Sequence, residues 1–336
     1  MTATPRPGTP AAAAAQHRVP GRRPPAPPAP ARHRPPPAPA EKDRTVSNVR
    51  MAVTLEEAPW LGWILVKALM RFAFMVANNL VAISSYICYV IVLQPLRLLD
   101  SKRFWYIEGI MYKWLLGMVA SWGWYAGYTV MEWGEDIKAV SKDEAVMLVN
   151  HQATGDVCTL MMCLQDKGLV VAQMMWLMDH IFKYTNFGIV SLIHGDFFIR
   201  QDSAWQVSNS KSKGLQWIID TTIAYPKAEP IDIQTWILGY RKPVVTHVHY
   251  RIFPIKDIPL ETDNLADWLY QRFIEKEDLL SHFYETGAFP PPKGQEEAVS
   301  REMTLSNTWI FLIQSFAFLS GYMWYNVFQY FYHCLF

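Results

Sequence analysis

Ala145-Val146-Met147-Leu148-Val149 runs without a polar side chain into Asn150-His151-Gln152-Ala153-Thr154-Gly155-Asp156, and Val157–Leu164 (VCTLMMCL) follows at once. A short, continuously apolar run of this kind reads as a strand buried on both faces. The apolar stretch after Asp156 reads as a helix. Strand, polar loop and helix together predict a mixed α/β domain over residues 132–301. Leu169–Ala172, Ile189–Ile193 and Phe197–Ile199 read as further strand-like pieces. Ile231–Leu238 and Val244–Phe253 flank Gly239-Tyr240-Arg241-Lys242-Pro243, which reads as a hairpin or a tight connection. Leu265–Phe283 carries apolar residues along one helical face.

In an open α/β sheet, ligands bind just beyond the carboxyl ends of the strands, which is where the 150–156 loop falls. His151 and Asp156 are five residues apart and would not align on one continuous helix. With Gly155 turning the chain between them, Asp156 enters the first helical turn and can point back at the imidazole. A carboxylate on Nδ1 fixes the tautomer and leaves Nε2 free to take a proton. That is the base half of a catalytic triad without a nucleophile of its own. The plainer alternative is a loop histidine beside an aspartate that only caps a helix. No G-x-S-x-G elbow, Walker A loop or G-x-G-x-x-G sequence occurs, which argues against a serine lipase and the common nucleotide cradles. His247 and His249 share one face of a predicted strand, but no further ligands at metal spacing accompany them, and no metal site is expected. His180 and His194 read as loop or partly buried histidines.

Outside this domain the chain is strongly apolar. Between Arg71 and Arg97 lie 25 residues without charge, and residues 72–96 read as a transmembrane helix within a membrane-entry region, 61–96. Asn78 and Asn79 interrupt it and should face protein. Basic residues flank both ends, so the positive-inside rule leaves the orientation open. Residues 110–131, with Trp114, Trp122, Trp124 and Tyr128, read as an interfacial or re-entrant segment. The 34 residues after Glu302 carry no Asp, Glu, Lys or Arg, and 303–336 reads as a second membrane helix.

Composition supports this division. The 336 residues hold 31 basic and 30 acidic side chains, but nine of the basic and two of the acidic ones fall in residues 1–50. The rest then carries 22 against 28, a poor surface for nucleic acid. Residues 1–50 read as a disordered tail, since positions 1–40 contain thirteen of the 23 prolines and eleven alanines. It lacks the apolar core of a signal peptide, and Met51 opens a different kind of sequence, so the tail reads as an alternative N-terminal extension. Arg22–Pro39 fits P-x-x-P, although an inert tail is the simpler reading and no protein partner is identified. Cys88, Cys158, Cys163 and Cys334 form no C-x-x-C pair and read as thiols in a reducing or lipid setting.

The Asn150-His151…Asp156 pattern resembles the glycerolipid acyltransferases, membrane enzymes of the endoplasmic reticulum that carry an N-H-x-x-x-x-D motif. The resemblance covers most of Met51–Phe336. It implies an α/β fold with a mixed sheet, flanking helices and transmembrane helices. It also implies transfer of a long-chain acyl group from acyl-coenzyme A to a lysophospholipid of the lysophosphatidylglycerol or lysophosphatidylethanolamine type. His151 would be the general base and Asp156 its orienting partner, with acyl-coenzyme A as co-substrate, the bilayer supplying the lipid, and no other cofactor. A second family motif, G-x-x-F-I-x-R, has a partial counterpart in Gly195-Asp196-Phe197-Phe198-Ile199-Arg200-Gln201. There the arginine comes one residue early, and Asn150, Gly195, Phe198, Ile199 and Arg200 become candidate substrate-binding residues. The third motif, Phe-Pro-Glu-Gly, is not found. A block of the catalytic domain therefore reads as left out near 201–211, as alternative splicing would do, and turnover is expected to be impaired. A non-catalytic, membrane-anchored binding or scaffold protein is the second reading.

Overall fold

The computed structural model describes residues 58–199 and 214–336, apart from 260, 292, 293, 295 and 296. The predicted tail, Arg200 and the expected deletion at 201–211 lie outside the described residues.

Three long helices and a mixed sheet make up the architecture. The uncharged run forms the inner part of α1 (Ala58–Leu99), with Pro95 accommodated near its end. Asp100 then caps α2 (Ser101–Ala126) by accepting from the Arg103 N–H at 3.1 Å. Gly127, at φ 88°, ends that helix in the left-handed conformation that favours glycine. The last helix, α8 (Asn307–Leu335), packs against both of the first two. Among the described residues, one helix, Pro59–Leu99, is long and apolar enough to cross a membrane by length and composition.

A five-stranded sheet has the order β2-β5-β6-β1-β7. Its strands are β1 (Thr129–Gly134), β2 (Ala145–Val149), β5 (Trp217–Ala224), β6 (Val245–Pro254) and β7 (Ser300–Met303). β2 runs parallel to β5, β5 antiparallel to β6, β6 parallel to β1, and β7 antiparallel to β1. A separate parallel ladder joins β3 (Leu177–Asp179) to β4 (Phe197–Ile199). The intervening helices are α3 (Asp156–Cys163), α4 (Val170–Gln173), α5 (Asn186–His194), α6 (Ile233–Leu238) and α7 (Thr262–Thr286).

Several expectations need correction. Among the described residues the apolar strand β2 is an edge strand, and its first residues, Ala145 and Val146, are exposed rather than buried on both faces. Leu169–Ala172 is a helical turn, not a strand, and lies so close to α2 that a Cβ on Gly109 would meet the Ala172 carbonyl oxygen at 2.6 Å. Ile189–Ile193 is helical because its ends are capped. Thr185 accepts from the Gly188 N–H at 3.0 Å, and Gly195 closes the helix at φ 97°. Ile231–Leu238 supplies the helix α6, so Gly239–Pro243 joins a helix to a strand and is no hairpin.

The segment 110–131 is not a re-entrant loop but the inner part of an unbroken helix and the strand after it. Trp114, Trp122 and Tyr128 face protein, while Tyr125 is exposed. Trp114 Nε1 donates to the Ile313 carbonyl at 2.9 Å, and Trp122 Nε1 to Asn78 Oδ1 at 3.1 Å. The Tyr128 ring stacks on Trp236 with centroids 5.2 Å apart. Trp236 in turn reaches α2 because Gly123 has no side chain, since a Cβ there would stand 2.0 Å from the indole. The apolar C-terminal region begins with β7, and its helix starts at Asn307 rather than at 303.

Asn78 is fully buried where the three long helices meet. Its Nδ2 donates to Gln314 Oε1 at 2.7 Å, and Gln314 Nε2 donates onward to Ser121 Oγ at 2.9 Å. Replacing Asn78 by leucine strands the Trp122 N–H and one Gln314 acceptor. Asn78→Leu is expected to lower stability by about 1–3 kcal/mol, read as a lower thermal midpoint in detergent micelles. An unchanged midpoint would show that this polar chain does not join the helices.

Candidate active site

β2 delivers the functional loop at its carboxyl end. The β2–β5 register ends at Val149 opposite Thr221, and Asn150 then continues the pairing with its side chain. Asn150 Nδ2 donates to the Ile223 carbonyl at 2.9 Å, and the Ile223 N–H donates to Asn150 Oδ1 at 2.7 Å. The amide thus imitates one more strand residue. Gln152 Nε2 shares the same Ile223 carbonyl at 2.9 Å, and Tyr284 OH donates to Gln152 Oε1 at 3.2 Å.

The loop closes on β5 and α6 through two further contacts. The Gly155 N–H donates to the Ile231 carbonyl at 3.1 Å, and a Cβ at Gly155 would lie 2.1 Å from that oxygen, so only glycine fits. Thr154 Oγ1 accepts from the Ile233 N–H at 3.0 Å and so helps cap α6.

These constraints place Asp156 at the first turn of α3, with its side chain only 2% exposed, facing back into the loop. Its Oδ2 accepts from the Gln152 N–H at 2.6 Å, from the Ala153 N–H at 2.9 Å, and from His151 Nδ1 at 2.9 Å. Its Oδ1 accepts from the Tyr225 hydroxyl. An ionised carboxylate offers acceptors only, and here all four partners are donors. Burial, and then the Asp156 charge, push the Tyr225 phenol well above its ordinary range, which keeps it a donor. The His151 imidazole is thereby held with its proton on Nδ1, while the side chain stays 65% exposed. The outward nitrogen, Nε2, is free to accept a proton.

The cysteine nearest the dyad in sequence does not act as a nucleophile. Cys158 is buried on α3, and burial, with Asp156 adding to it, pushes its thiol up to about 12. A thiol so placed is chemically inert.

The structure brings Asn150, His151 and Asp156 into one hydrogen-bonded loop, but it places the second-motif residues elsewhere. Gly195 ends α5, and Phe198 and Ile199 lie on β4 in the separate β3–β4 ladder. The Phe198 ring faces the Lys183 ammonium at 5.0 Å, and Asp196 accepts from the Trp176 N–H at 2.9 Å. Among the described residues, no hydrogen bond or ion pair joins Gly195, Phe198 or Ile199 to His151 or Asp156. Tyr225, Ile223, Gln152 and Tyr284 were invisible as site residues in the sequence. They enter through β5 register and α7 packing, and the only trace is a tyrosine closing the buried run Thr221–Ala224.

Comparison with known proteins places the chain in a family. A family model described as acyltransferase C-terminus matches residues 236–312. The acyl-CoA:lysophosphatidylglycerol acyltransferase 1 of Homo sapiens is 71% identical over 370 positions, covering 85% of this chain and all of the relative. Its Mus musculus counterpart is 68% identical with the same coverage. A lysocardiolipin acyltransferase of Gallus gallus is 33% identical over 85 residues, 25% of this chain and 22% of the relative. No solved structure matches. Since 85% of 336 residues is about 286, about 84 of the 370 aligned positions face no residue of this chain. With such identity running the whole length of its relatives, the chain belongs to the lysophospholipid acyltransferase family.

Proposed function

We propose that this protein transfers a long-chain acyl group from acyl-coenzyme A to the free hydroxyl of a lysophospholipid, with His151 as general base and Asp156 as its orienting partner. The observation that carries the mechanism is the 2.9 Å contact between His151 Nδ1 and a buried Asp156 whose other acceptor sites are filled. As the acceptor oxygen attacks the thioester carbonyl carbon, its proton passes to Nε2 of His151. The carbon–sulfur bond then breaks, and the imidazolium returns the proton to the departing thiolate. Asp156 stays ionised and stabilises the imidazolium while it exists.

The relatives' printed names support a lysophosphatidylglycerol acceptor, and lysophosphatidylethanolamine is the second candidate. The chemistry needs no cofactor beyond the acyl-coenzyme A co-substrate. We assign the enzyme to the endoplasmic reticulum membrane as a multi-pass protein, with α1 and α8 as the two spans. The outer half of α8 supports the second span, since Tyr322, Phe328, Tyr330, Phe331 and Leu335 are all exposed there. Gly195, Phe198, Ile199 and Arg200 remain proposed substrate contacts. The unmatched positions of the relatives fit a chain that lacks a block; we place that block near 201–211 because the Phe-Pro-Glu-Gly motif is not found, and we expect slower turnover than in a chain carrying it.

His151→Ala should lower acylation of lysophosphatidylglycerol by microsomes expressing the chain about 10²–10⁴-fold, leaving the thermal midpoint nearly unchanged. Equal rates would remove the dyad from the mechanism. Tyr225→Phe withdraws one donor from Asp156 and should cost about tenfold in rate, or about 1.4 kcal/mol. Because that donor acts through the dyad, adding Tyr225→Phe to His151→Ala should change the residual rate little. Strict additivity would place Tyr225 outside the mechanism.

A further inference from the structure

Arg71 lies on α1, partly buried, in contact with two other helices. Its Nε donates to the Ile237 carbonyl at 2.9 Å and its Nη2 to the Trp122 carbonyl at 2.6 Å. Both oxygens belong to the last turns of helices, α6 and α2, where the helix dipole favours a cation. Neither carries a full charge, and no carboxylate lies within 4.0 Å of Arg71 among the described residues. A guanidinium has five N–H donors, so most of its capacity stays open. Such a charge is held in place and not neutralised.

Other cations gather around it. Gly239, at φ 59°, turns the chain against the guanidinium so closely that a Cβ there would stand 3.0 Å from Arg71 Nε. Arg241 and Lys242 follow at once, both exposed. Arg71 and Arg241 both act electrostatically on the Tyr128 hydroxyl, as does Asp232, which stands 4.0 Å from Arg241. Lys67 is one turn before Arg71 on α1, on the same side of the helix and exposed. Lys67 and Arg71 on successive turns of α1, with Arg241 and Lys242 just after Gly239, bring cations together on a body whose net charge is otherwise negative.

A shallow, open depression of about 410 Å³ adjoins the patch, lined by Met70, Phe74 and Tyr125 with Gln314 and Arg71 itself. Anion receptor and open depression side by side on a bilayer-length helix fit a lipid with a phosphate head and a hydrocarbon chain. We propose that Lys67, Arg71, Arg241 and Lys242 bind the phosphate of an anionic bilayer phospholipid whose chain lies in this depression. The inference rests on the reading that α1 lies in a membrane.

The bound lipid is a resident of the bilayer and not the acceptor. Arg71 grips the carboxyl end of α6, while Thr154 of the active-site loop holds its amino end. The six residues between them span about 9 Å. A phosphate and its neighbouring glycerol hydroxyl are only a few bonds apart, so a lipid anchored at Arg71 leaves His151 free for substrate. The site would dock the catalytic domain against the headgroup layer at a fixed orientation.

The test uses the full chain and flotation with vesicles of phosphatidylcholine alone or mixed with phosphatidylglycerol. Phosphatidylglycerol should tighten binding of the wild type, and Arg241→Gln with Lys242→Gln should weaken that tightened binding about 30-fold. High salt should erase the same increment. Arg71→Lys, which keeps the charge, checks that a loss in the double variant is not misfolding and should retain most of the preference. Equal binding of wild type to both vesicles overturns the site. So does protection of the cluster by coenzyme A alone, which would assign it to nucleotide phosphates. Failure of the wild type to float even with neutral vesicles would instead remove the membrane reading, and the lipid site with it.

Discussion

A carboxylate removed from water must find donors for both its oxygens, and Asp156 finds four. Burial of such a charge would cost several kcal/mol without them. The donors come from distant parts of the chain: the loop after β2 gives His151 and two backbone N–H groups, and the end of β5 gives Tyr225. The carboxylate is therefore satisfied only while β2 and β5 stay in register. A slip of one residue would turn Tyr225 to the other face of the sheet. In this sense the orientation of the imidazole is a property of the sheet and not of the loop.

A second buried charge holds the same two strands. Lys276 on α7 donates to the Leu148 carbonyl at 3.1 Å and to the Thr221 carbonyl at 2.7 Å, and pairs with Asp220. Arg251 completes the group by bonding Asp220 and Glu275. Burial alone would drive the Lys276 ammonium toward its neutral form, and its pKa is indeed lowered, while Asp220 works against that shift. Leu148 lies two residues before Asn150, so the clamp acts just upstream of the active-site loop. Loop and clamp thus bracket the carboxyl end of β2.

The sequence allowed the loop to be read because its signals are local. An apolar run, a glycine and an aspartate at a helix start depend on neighbours a few residues away, and the His151–Asp156 geometry followed from them. The long apolar helix α1 was legible for the same reason, as 25 uncharged residues are a property of one segment. Four- and five-residue apolar runs were not, since Leu169–Ala172 and Ile189–Ile193 fit strand and helix equally well. Caps at Thr185 and Gly195 decided the second, and packing against Gly109 decided the first. The tryptophans of α2 misled because an indole at a bilayer interface and an indole donating to a neighbouring helix look alike in composition. Tyr225 was beyond reach, for its role depends on a pairing register between residues about seventy positions apart.

One mismatch between composition and position remains instructive. β2 is written for burial on both faces, yet among the described residues it lies at the edge of the sheet with Ala145 and Val146 exposed. β4 shows the same tension, because Phe197 and its ladder neighbour Leu177 are both about half exposed. Exposed apolar edges invite unwanted pairing, and proteins normally cover or charge them. Relatives that are matched over their whole length, and that cover 85% of this chain, carry about 84 aligned positions that it lacks. The dyad does not depend on these exposed residues, because every donor on Asp156 comes from the loop after β2 or from Tyr225 at the end of β5.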